Sequence, residues 1–285
     1  MRSLTIATHG LKLGVLTAGD AARPGLLLLH GWPQSSQVYD LVIDELGQDH
    51  FVLAVDLPAV GLSQGLPPSA EKTALANIVL AGAERAGARS LVVAGFDVGG
   101  MISFAAARDH GDRIRGAMVM NTVIPGIEPW EAVLADPRIW HFAFHSIPHL
   151  PETLVAGNQR DYFDFFHDAL AGNRAALTAA HRAAFAQAYE RPESLKAGFD
   201  WYRAMPSDAK RNALHKSIET PMQYLRGDAD GRSPDDYVAG LRKAGARHVT
   251  GAVIQGSGEC VPLEAPGDFI DAVRSFCRVL PAAER

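Results

Sequence analysis

Six short apolar runs constrain the fold of this chain more than any other feature. Each run is continuously apolar rather than alternating, which is typical of strands buried on both faces. Segments with helical patterns lie among the runs and after the last one. The runs occupy residues 25–30, 51–57, 90–97, 116–122, 221–227 and 248–256, and the helical patterns occupy 70–87, 98–110, 233–244 and 266–279. This order predicts an α/β fold with a mainly parallel sheet covered by helices on both sides.

Two stretches depart from this alternation. The first twenty residues indicate an antiparallel hairpin that turns near Gly10 at the edge of the sheet. The stretch 127–206 is rich in aromatic residues, His and Ala and has no strand pattern, so it predicts a helical cap inserted over the sheet. The expected organisation is therefore a core built from 1–126 and 207–285, with the cap between them.

Composition narrows the class of protein. The 285 residues suit one large domain with an insertion, and 47% apolar residues are enough for a packed core. A formal charge of −5 gives no reason to expect nucleic acid or an anionic membrane as partner. The N-terminus lacks a signal-peptide pattern, no apolar run approaches ~20 residues, and only two cysteines occur. We therefore expect a cytoplasmic protein that acts on a small molecule, and a homodimer remains open.

The sharpest local motif is Gly-Phe-Asp-Val-Gly-Gly at 95–100, where an apolar run ends and a helical pattern begins. A nucleophile at such a strand–helix turn needs small neighbours, because the strand and helix approach closely. Asp97 occupies the central position and is the candidate nucleophile. An Asp there can also simply cap the helix, but glycines on both sides at this spacing favour the nucleophile.

Two further motifs precede this turn. His-Gly-Trp-Pro at 30–33 follows the first apolar run, and Asp-Leu-Pro-Ala-Val-Gly-Leu-Ser at 56–63 follows the second. Together with the Asp97 turn and the inserted helices, these motifs resemble the α/β-hydrolase superfamily, and Asp at the turn resembles its epoxide hydrolase and dehalogenase branch. The resemblance covers residues 10 to 280. It implies that the backbone N–H groups of Trp32 and Val98 form an oxyanion hole.

The same resemblance assigns roles in the cap. The family's Asp forms an ester with an electrophilic carbon, and water then cleaves that ester. By similarity to cap segments of the family, Tyr202 and His141 protonate the departing oxygen. The expected walls of the substrate pocket are His30, Phe96, Trp140 and Trp201. No metal or organic cofactor is implied, because no residue cluster has the spacing of metal ligands.

Positions after the nucleophile separate the branches. Fluoroacetate-type dehalogenases carry Arg directly after the nucleophile and again three residues later, where this chain has Val98 and Met101. Haloalkane dehalogenases usually carry Trp after the nucleophile. In those enzymes the Arg side chains hold the substrate carboxylate and the Trp holds the halide. This chain has neither at these positions, so the resemblance favours a bulky apolar epoxide as substrate.

The chain departs from the family's sequence motif in the loop before the last helix. The family has a catalytic His there, within Gly-Xaa-Gly-His, whereas residues 256–259 are Gly-Ser-Gly-Glu. Glu259 therefore stands in place of the His. In the family an acid orients this His, and two positions of this chain match it, Asn121 and Asp230. Asn121 is not an acid, and we interpret Asp230 as part of a polar turn.

Several functions remain open at this point. The leading hypothesis is epoxide hydrolysis through an Asp97 ester with Glu259 as base, since two carboxyl groups in one cavity cannot both ionise cheaply. The first alternative is a non-hydrolytic biosynthetic enzyme, an isomerase, dehydratase or cyclase, that uses Asp97 and Glu259 as an acid–base pair. A dehalogenase and a ligand-binding protein without turnover are further alternatives.

Overall fold

The computed structural model describes residues 1–281, and the strands within them form one eight-stranded sheet. The strands are β1 (Arg2–Thr8), β2 (Leu11–Ala18), β3 (Gly25–Leu29), β4 (Phe51–Val55), β5 (Leu91–Phe96), β6 (Ile114–Met120), β7 (Met222–Gly227) and β8 (Val249–Ile254). Their order across the sheet is β1-β2-β4-β3-β5-β6-β7-β8. The six strands from β3 onward pair in parallel, as the six apolar runs predict.

The two N-terminal strands form the predicted hairpin. β1 pairs with β2 in antiparallel register, and β2 continues antiparallel against β4. The turn between them has positive φ at both His9 and Gly10, 50° and 75°. Two consecutive positive φ values are those of the tight hairpin turns that match strand twist, and Gly10 accepts such a φ without strain.

Helices cover both faces of the sheet and also follow β6. They are α1 (Ile43–Leu46), α2 (Lys72–Arg85), α3 (Val98–Asp109), α4 (Trp130–Leu134), α5 (Trp140–Ser146), α6 (Leu150–Val155), α7 (Gln159–Leu170), α8 (Ala179–Ala188), α9 (Pro192–Arg203), α10 (Met205–Asn212), α11 (Pro234–Lys243), α12 (Val261–Glu264) and α13 (Pro266–Val279). No helix between Met1 and Pro281 combines the length and apolar character needed to cross a bilayer.

The core has two layers because side chains alternate along each strand. Leu27 and Leu29 of β3 belong to the layer that includes α2, α3 and α11. Leu26 and Leu28 belong to the opposite layer, which includes α1 and α13. The side chains of both layers are buried, which explains why the parallel strands are continuously apolar in sequence.

Helices α4 to α10 follow β6 in succession, without a strand among them in the described chain. They contact the loops at the carboxyl ends of the parallel strands. The Arg191 guanidinium donates to the carbonyls of Ala59 and Ser63, each at 2.7 Å. The expected cap boundary at 206 falls inside α10, and the division into core and cap stays a prediction. In open parallel sheets, the carboxyl edge beneath such a cover is where ligands bind.

Candidate active site

Asp97 lies between the end of β5 and the start of α3 in a strained conformation. Its φ of 49° and ψ of −125° lie outside the regions that L-residues ordinarily populate. Holding a residue there costs on the order of 1–3 kcal/mol and requires support from the surrounding structure. The turn places the Asp97 carboxylate at the carboxyl edge of the sheet, as the glycine-flanked motif predicts.

The glycines around Asp97 are required by close approaches. A Cβ at Gly95 would collide with the carbonyl of Gly99, and one at Gly99 with the carbonyl of Leu29. A Cβ at Gly31 would lie 2.7 Å from the Cβ of Asp97. The tight turn and the neighbouring loop therefore both depend on residues without side chains.

The Asp97 carboxylate accepts a hydrogen bond from one of the two backbone groups that the sequence motifs single out. The Trp32 N–H donates to its Oδ2 at 2.7 Å. Burial raises the pKa of Asp97 to about 6, while the backbone N–H groups of Trp32 and Val98, and the positive charge of Lys72, act in the opposite direction. These contacts favour the ionised form of a carboxyl group that burial would otherwise neutralise.

Glu259 lies in the loop that follows β8, and its backbone is fixed on several sides. The Glu259 N–H donates to the Leu170 carbonyl at 3.0 Å. The Asn121 side-chain amide donates to the carbonyls of Gly258 and Glu259 at 2.8 and 3.0 Å. The same Asn121 accepts from the Gly227 N–H at 2.9 Å, which ties the loop to β7.

Glu264 holds this loop from the other side. Its Oε2 accepts from the N–H groups of Gly172, Asn173 and Gly258 at 2.7, 2.7 and 2.9 Å. Its Oε1 accepts from the Cys260 N–H at 2.8 Å. One buried carboxyl group thus organises four backbone donors around the loop that carries Glu259. The sequence motifs did not indicate this role, although a carboxyl group five residues after Glu259 was a usable signal.

The Glu259 carboxyl has a different environment from that of Asp97. Burial raises its pKa well above the usual value, and the charge of Asp97 raises it further, against a smaller opposing effect of Arg226. Within residues 1–281 the Glu259 carboxyl makes no hydrogen bond. Its proton is therefore retained more strongly than that of Asp97, which has N–H donors to stabilise its charge.

Asp97 and Glu259 line one cavity of about 110 Å³, together with the predicted residues Trp32, His141 and Tyr202. Tyr202 is buried, and its hydroxyl makes no hydrogen bond within the described chain. Burial and the charge of Asp97 raise the pKa of Tyr202. Burial lowers the pKa of His141 to about 4, so this imidazole is neutral at pH 7. The structure brings all four predicted catalytic side chains to one space.

None of the four predicted pocket residues lines this cavity. His30 is fully buried, its Nδ1 paired with the Gly31 carbonyl at 2.8 Å and its Nε2 with the Leu57 N–H at 3.0 Å. Phe96 packs in the core layer that includes α1 and α13, where its ring centre lies 6.3 Å from that of Tyr39.

Trp201 is also fully buried and lies 6.3 Å from the His30 ring, because consecutive helix residues face different directions and its neighbour Tyr202 takes the cavity side. Trp140 lines an adjoining outer cavity.

The two candidates for an orienting acid have structural contacts. The Asn121 side-chain amide hydrogen-bonds to the backbone of Gly227, Gly258 and Glu259. Asp230 forms an ion pair with Arg226 and accepts from the Arg232 N–H at 3.1 Å, consistent with a polar turn. No group of three or more His, Cys, Asp or Glu side chains in residues 1–281 is arranged to hold a metal ion.

Sequence patterns also missed a buried histidine over the Trp32 loop. His145 is fully buried, its ring lies 4.5 Å from those of Trp32 and Tyr202, and its Nε2 pairs with the Tyr162 hydroxyl at 2.7 Å. Burial lowers its pKa to about 2, so it is a neutral part of the aromatic roof. His167 of the cap is buried as well.

Comparison with known proteins places this geometry in a family. A family described as alpha/beta hydrolase fold matches residues 24–266. The chain belongs to this family. The match includes the Trp32 loop, the Asp97 turn and the Glu259 loop.

Individual relatives extend over nearly the whole chain. The alpha/beta-hydrolase chain is 26% identical over 277 residues to a soluble epoxide hydrolase of Corynebacterium sp. (strain C12), covering 94% of each protein. The crystal structure of wild-type Cfl2 from Burkholderia cenocepacia is 28% identical with a TM-score of 0.84, covering 96% of this chain and 95% of that one. Epoxide hydrolase CorEH is 23% identical with a TM-score of 0.87, covering 97% and 98%, and shows likeness of fold.

Proposed function

We propose that this protein hydrolyses an epoxide on a bulky small molecule through an ester on Asp97, with Glu259 as the base. One observation carries the proposal. Asp97 stands in a strained turn with its Oδ2 on the Trp32 N–H, and it shares a cavity with Tyr202, His141 and Glu259. The similarity to a soluble epoxide hydrolase over 94% of the chain supports the choice of substrate.

In the first step, an Asp97 carboxylate oxygen attacks an epoxide carbon. A carbon–oxygen bond of the ring breaks, and the departing oxygen takes the proton of the Tyr202 hydroxyl. Tyr202 keeps its proton until then because burial raises its pKa, and an alkoxide is still the stronger base. The neutral His141 ring assists as a hydrogen-bond donor rather than as a charged acid.

In the second step, water cleaves the ester. Glu259 removes a proton from water as the water oxygen attacks the carbonyl carbon of the ester. The N–H groups of Trp32 and Val98 stabilise the negative oxygen that forms. The second hydrogen of the attacking water goes to the leaving oxygen of the diol, and Asp97 returns as a carboxylate that now contains an oxygen atom from water.

Burial makes a glutamate suitable for this task. An ordinary glutamate is a weak base, but a raised pKa brings its basicity closer to that of histidine. When Asp97 becomes a neutral ester, its charge no longer opposes ionisation of Glu259. Glu259 then gives its proton to the Tyr202 phenolate left by the first step. Because the contribution of burial persists, the resulting carboxylate is a stronger base than an exposed one.

Intact-mass measurement on Glu259→Gln tests the mechanism. After exposure to styrene oxide, 1,2-epoxyoctane or cis-stilbene oxide, we expect a mass gain equal to one whole epoxide, located on Asp97. Asp97→Asn is the matched control and should gain nothing. If Glu259→Gln accumulates no adduct while Asp97→Asn still abolishes turnover, Glu259 is not the base for the second step. If none of the epoxides is consumed or bound covalently, epoxide hydrolysis is overturned for these classes.

A second function is favoured by the same pair of carboxyl groups. Glu259 retains its proton while Asp97 is ionised, so one cavity holds an acid and a base without a covalent step. Such a pair suits an isomerase, dehydratase or cyclase. Turnover in ¹⁸O water separates the two: hydrolysis through the ester labels both product and Asp97 over several cycles, whereas acid–base isomerisation leaves Asp97 unlabelled.

A further inference from the structure

An outer cavity of about 300 Å³ adjoins the space around Asp97. The two cavities share Glu259, Arg226 and Arg232 in their walls. The inner cavity, of about 110 Å³, has room for a few water-sized groups, since one water occupies about 30 Å³ in the liquid. A bulky substrate that presents its reactive carbon to Asp97 must therefore extend into the outer cavity.

The outer cavity has one cationic wall. Arg138, Arg226 and Arg232 line it, and its acidic wall residues are Asp230 and Glu259. The arginines belong to a chain of ion pairs that runs Arg138–Asp136–Arg232–Asp230–Arg226. Three guanidinium groups and two carboxylates leave a net charge of +1, and Glu259 adds no negative charge while it is protonated.

Two donors of this chain of ion pairs have no partner in residues 1–281. Arg226 donates from every guanidinium nitrogen, through Nε and Nη2 to Asp230 and through Nη1 to the Tyr224 hydroxyl at 3.1 Å, and its guanidinium carbon lies 4.6 Å from the centre of the Tyr237 ring. The closest carboxylate oxygen to Arg232 Nε is 3.9 Å away on Asp230, too far for a hydrogen bond. Within residues 1–281, neither Arg232 Nε nor Arg138 Nη1 donates a hydrogen bond.

The outer cavity also has an apolar part. Ile139, Trp140, Phe165, Phe166 and Leu170 of the cap line it. Trp140, Phe165 and Leu170 are 43%, 54% and 40% exposed, which is high for such large apolar side chains. An aryl or alkyl group laid against this wall would remove that surface from water.

We propose that the outer cavity binds a carboxylate, so that the substrate is an epoxide joined through an aryl or alkyl body to an acid group held by Arg232 and Arg138. This proposal rests on the proposed function, because it names the substrate class of the same site. Arg138 lines only the outer cavity and Arg232 lines both, whereas the positions directly after the nucleophile, Val98 and Met101, are apolar. Guanidinium groups pair with carboxylates by charge-assisted hydrogen bonds.

Calorimetric binding of 4-phenylbutyrate and its neutral counterpart 4-phenylbutanamide tests the proposal. Neither compound contains an epoxide, so the result does not depend on Asp97 chemistry. We expect the carboxylate to bind at least roughly tenfold more tightly, the change that one charge-assisted hydrogen bond supplies. Arg232→Gln and Arg138→Gln should each remove most of this preference and leave the amide unaffected.

Arg278→Gln is the matched control, because Arg278 is exposed on α13 and contacts only Ser275 among the described side chains, yet its loss changes the net charge equally. Equal affinity for the two compounds, or no binding of either, would overturn the proposal. So would an unchanged preference in both Arg232→Gln and Arg138→Gln. An Asp97 adduct with neutral epoxides alongside such a result would leave epoxide hydrolysis standing and reject only the carboxylate site.

Discussion

At the scale of residues, two carboxyl groups face one cavity with unequal support. Asp97 has backbone N–H donors that stabilise its charge, whereas the Glu259 carboxyl makes no hydrogen bond within residues 1–281. Burial opposes ionisation of both groups. Since charge–charge repulsion allows only one of them to ionise cheaply, the proton goes to Glu259.

The raised pKa values of the two carboxyl groups make the same prediction for two isosteric variants. Asp97 has a pKa of about 6 in the folded protein against 3.8 ordinarily, so the folded state binds the proton more tightly, and stability falls as pH rises through this window. Asp97→Asn removes that cost and should stabilise the protein at pH 7 by roughly 1–3 kcal/mol, a gain that vanishes below about pH 4. Glu259→Gln should also stabilise the protein at pH 7, because the folded state keeps Glu259 protonated there whereas the unfolded state ionises it. Thermal unfolding at both pH values measures this; no gain in either variant would show that burial does not raise these two pKa values.

The pH dependence of ester formation follows from the same pKa. The attack requires ionised Asp97, so the single-turnover rate should fall about tenfold per pH unit below about pH 6. Glu259→Gln should show this acid limb at the same pH, because Glu259 is already neutral there. Rapid-quench measurement of the adduct across pH 4–8 tests the prediction. A limb near pH 4 would show that burial of Asp97 has no effect in solution.

At the scale of elements, the loop between β8 and α12 is held by side chains from outside it. Glu264 accepts from Gly258 and Cys260 within or beside the loop and from Gly172 and Asn173 of the cap. Asn121 holds the loop carbonyls from the end of β6. The position of the Glu259 carboxyl is therefore set by a buried hydrogen-bond network.

Glu264→Gln should loosen this loop. One carboxylate oxygen becomes an NH₂ group that cannot accept, which leaves at least one buried N–H without a partner and costs about 1–3 kcal/mol of stability. Urea unfolding measures the loss, and hydrogen exchange at 256–260 should become faster. Glu190→Gln is the control, because Glu190 is exposed and its side chain makes no hydrogen bond in the described structure. Unchanged exchange in Glu264→Gln would contradict the role.

At the scale of the whole molecule, a buried ion pair joins α2 to α10. The Lys72 ammonium lies 2.8 Å from Asp208 Oδ2, and the Lys72 N–H donates to Asp208 Oδ1 at 2.9 Å. Lys72 also donates to the carbonyl of Trp201, directly before Tyr202. Both charged side chains are nearly inaccessible, so removal of either leaves the other without compensation.

Lys72→Met should therefore destabilise the protein by about 3–5 kcal/mol. The double variant Lys72→Met/Asp208→Leu should recover much of that loss, since no buried charge remains. Lys196→Met is the matched control: it breaks an exposed i,i+4 pair with Asp200 on α9 and should cost less than about 0.5 kcal/mol. Chemical denaturation measures the free energy of unfolding of the three variants. Equal losses in Lys72→Met and Lys196→Met would show that the buried pair contributes no more to stability than the exposed one.

The architecture could be predicted from local patterns because each pattern has a local cause. All six continuous apolar runs become strands where expected, and five of them are buried on both faces. Burial on both faces is wrong for β8, which lies at the sheet edge and has four of its six residues at least partly exposed. The glycines at 95, 99 and 100 mark a turn too tight for side chains, and they locate Asp97 correctly. Trp32, Tyr202, His141 and Glu259 also meet Asp97 in one cavity, while their catalytic roles remain predictions.

Burial and charge balance could not be predicted in this way, because they depend on residues far apart in the chain. His30, Phe96 and Trp201 follow pocket motifs but pack in the core, since neighbouring side chains on a strand or helix face different surroundings. The raised pKa values, the clamp by Glu264 and the arginine-lined outer cavity arise only when the cap covers the sheet edge. Only folding removes water from these groups, and that removal raises the pKa values of Asp97 and Glu259 by different amounts.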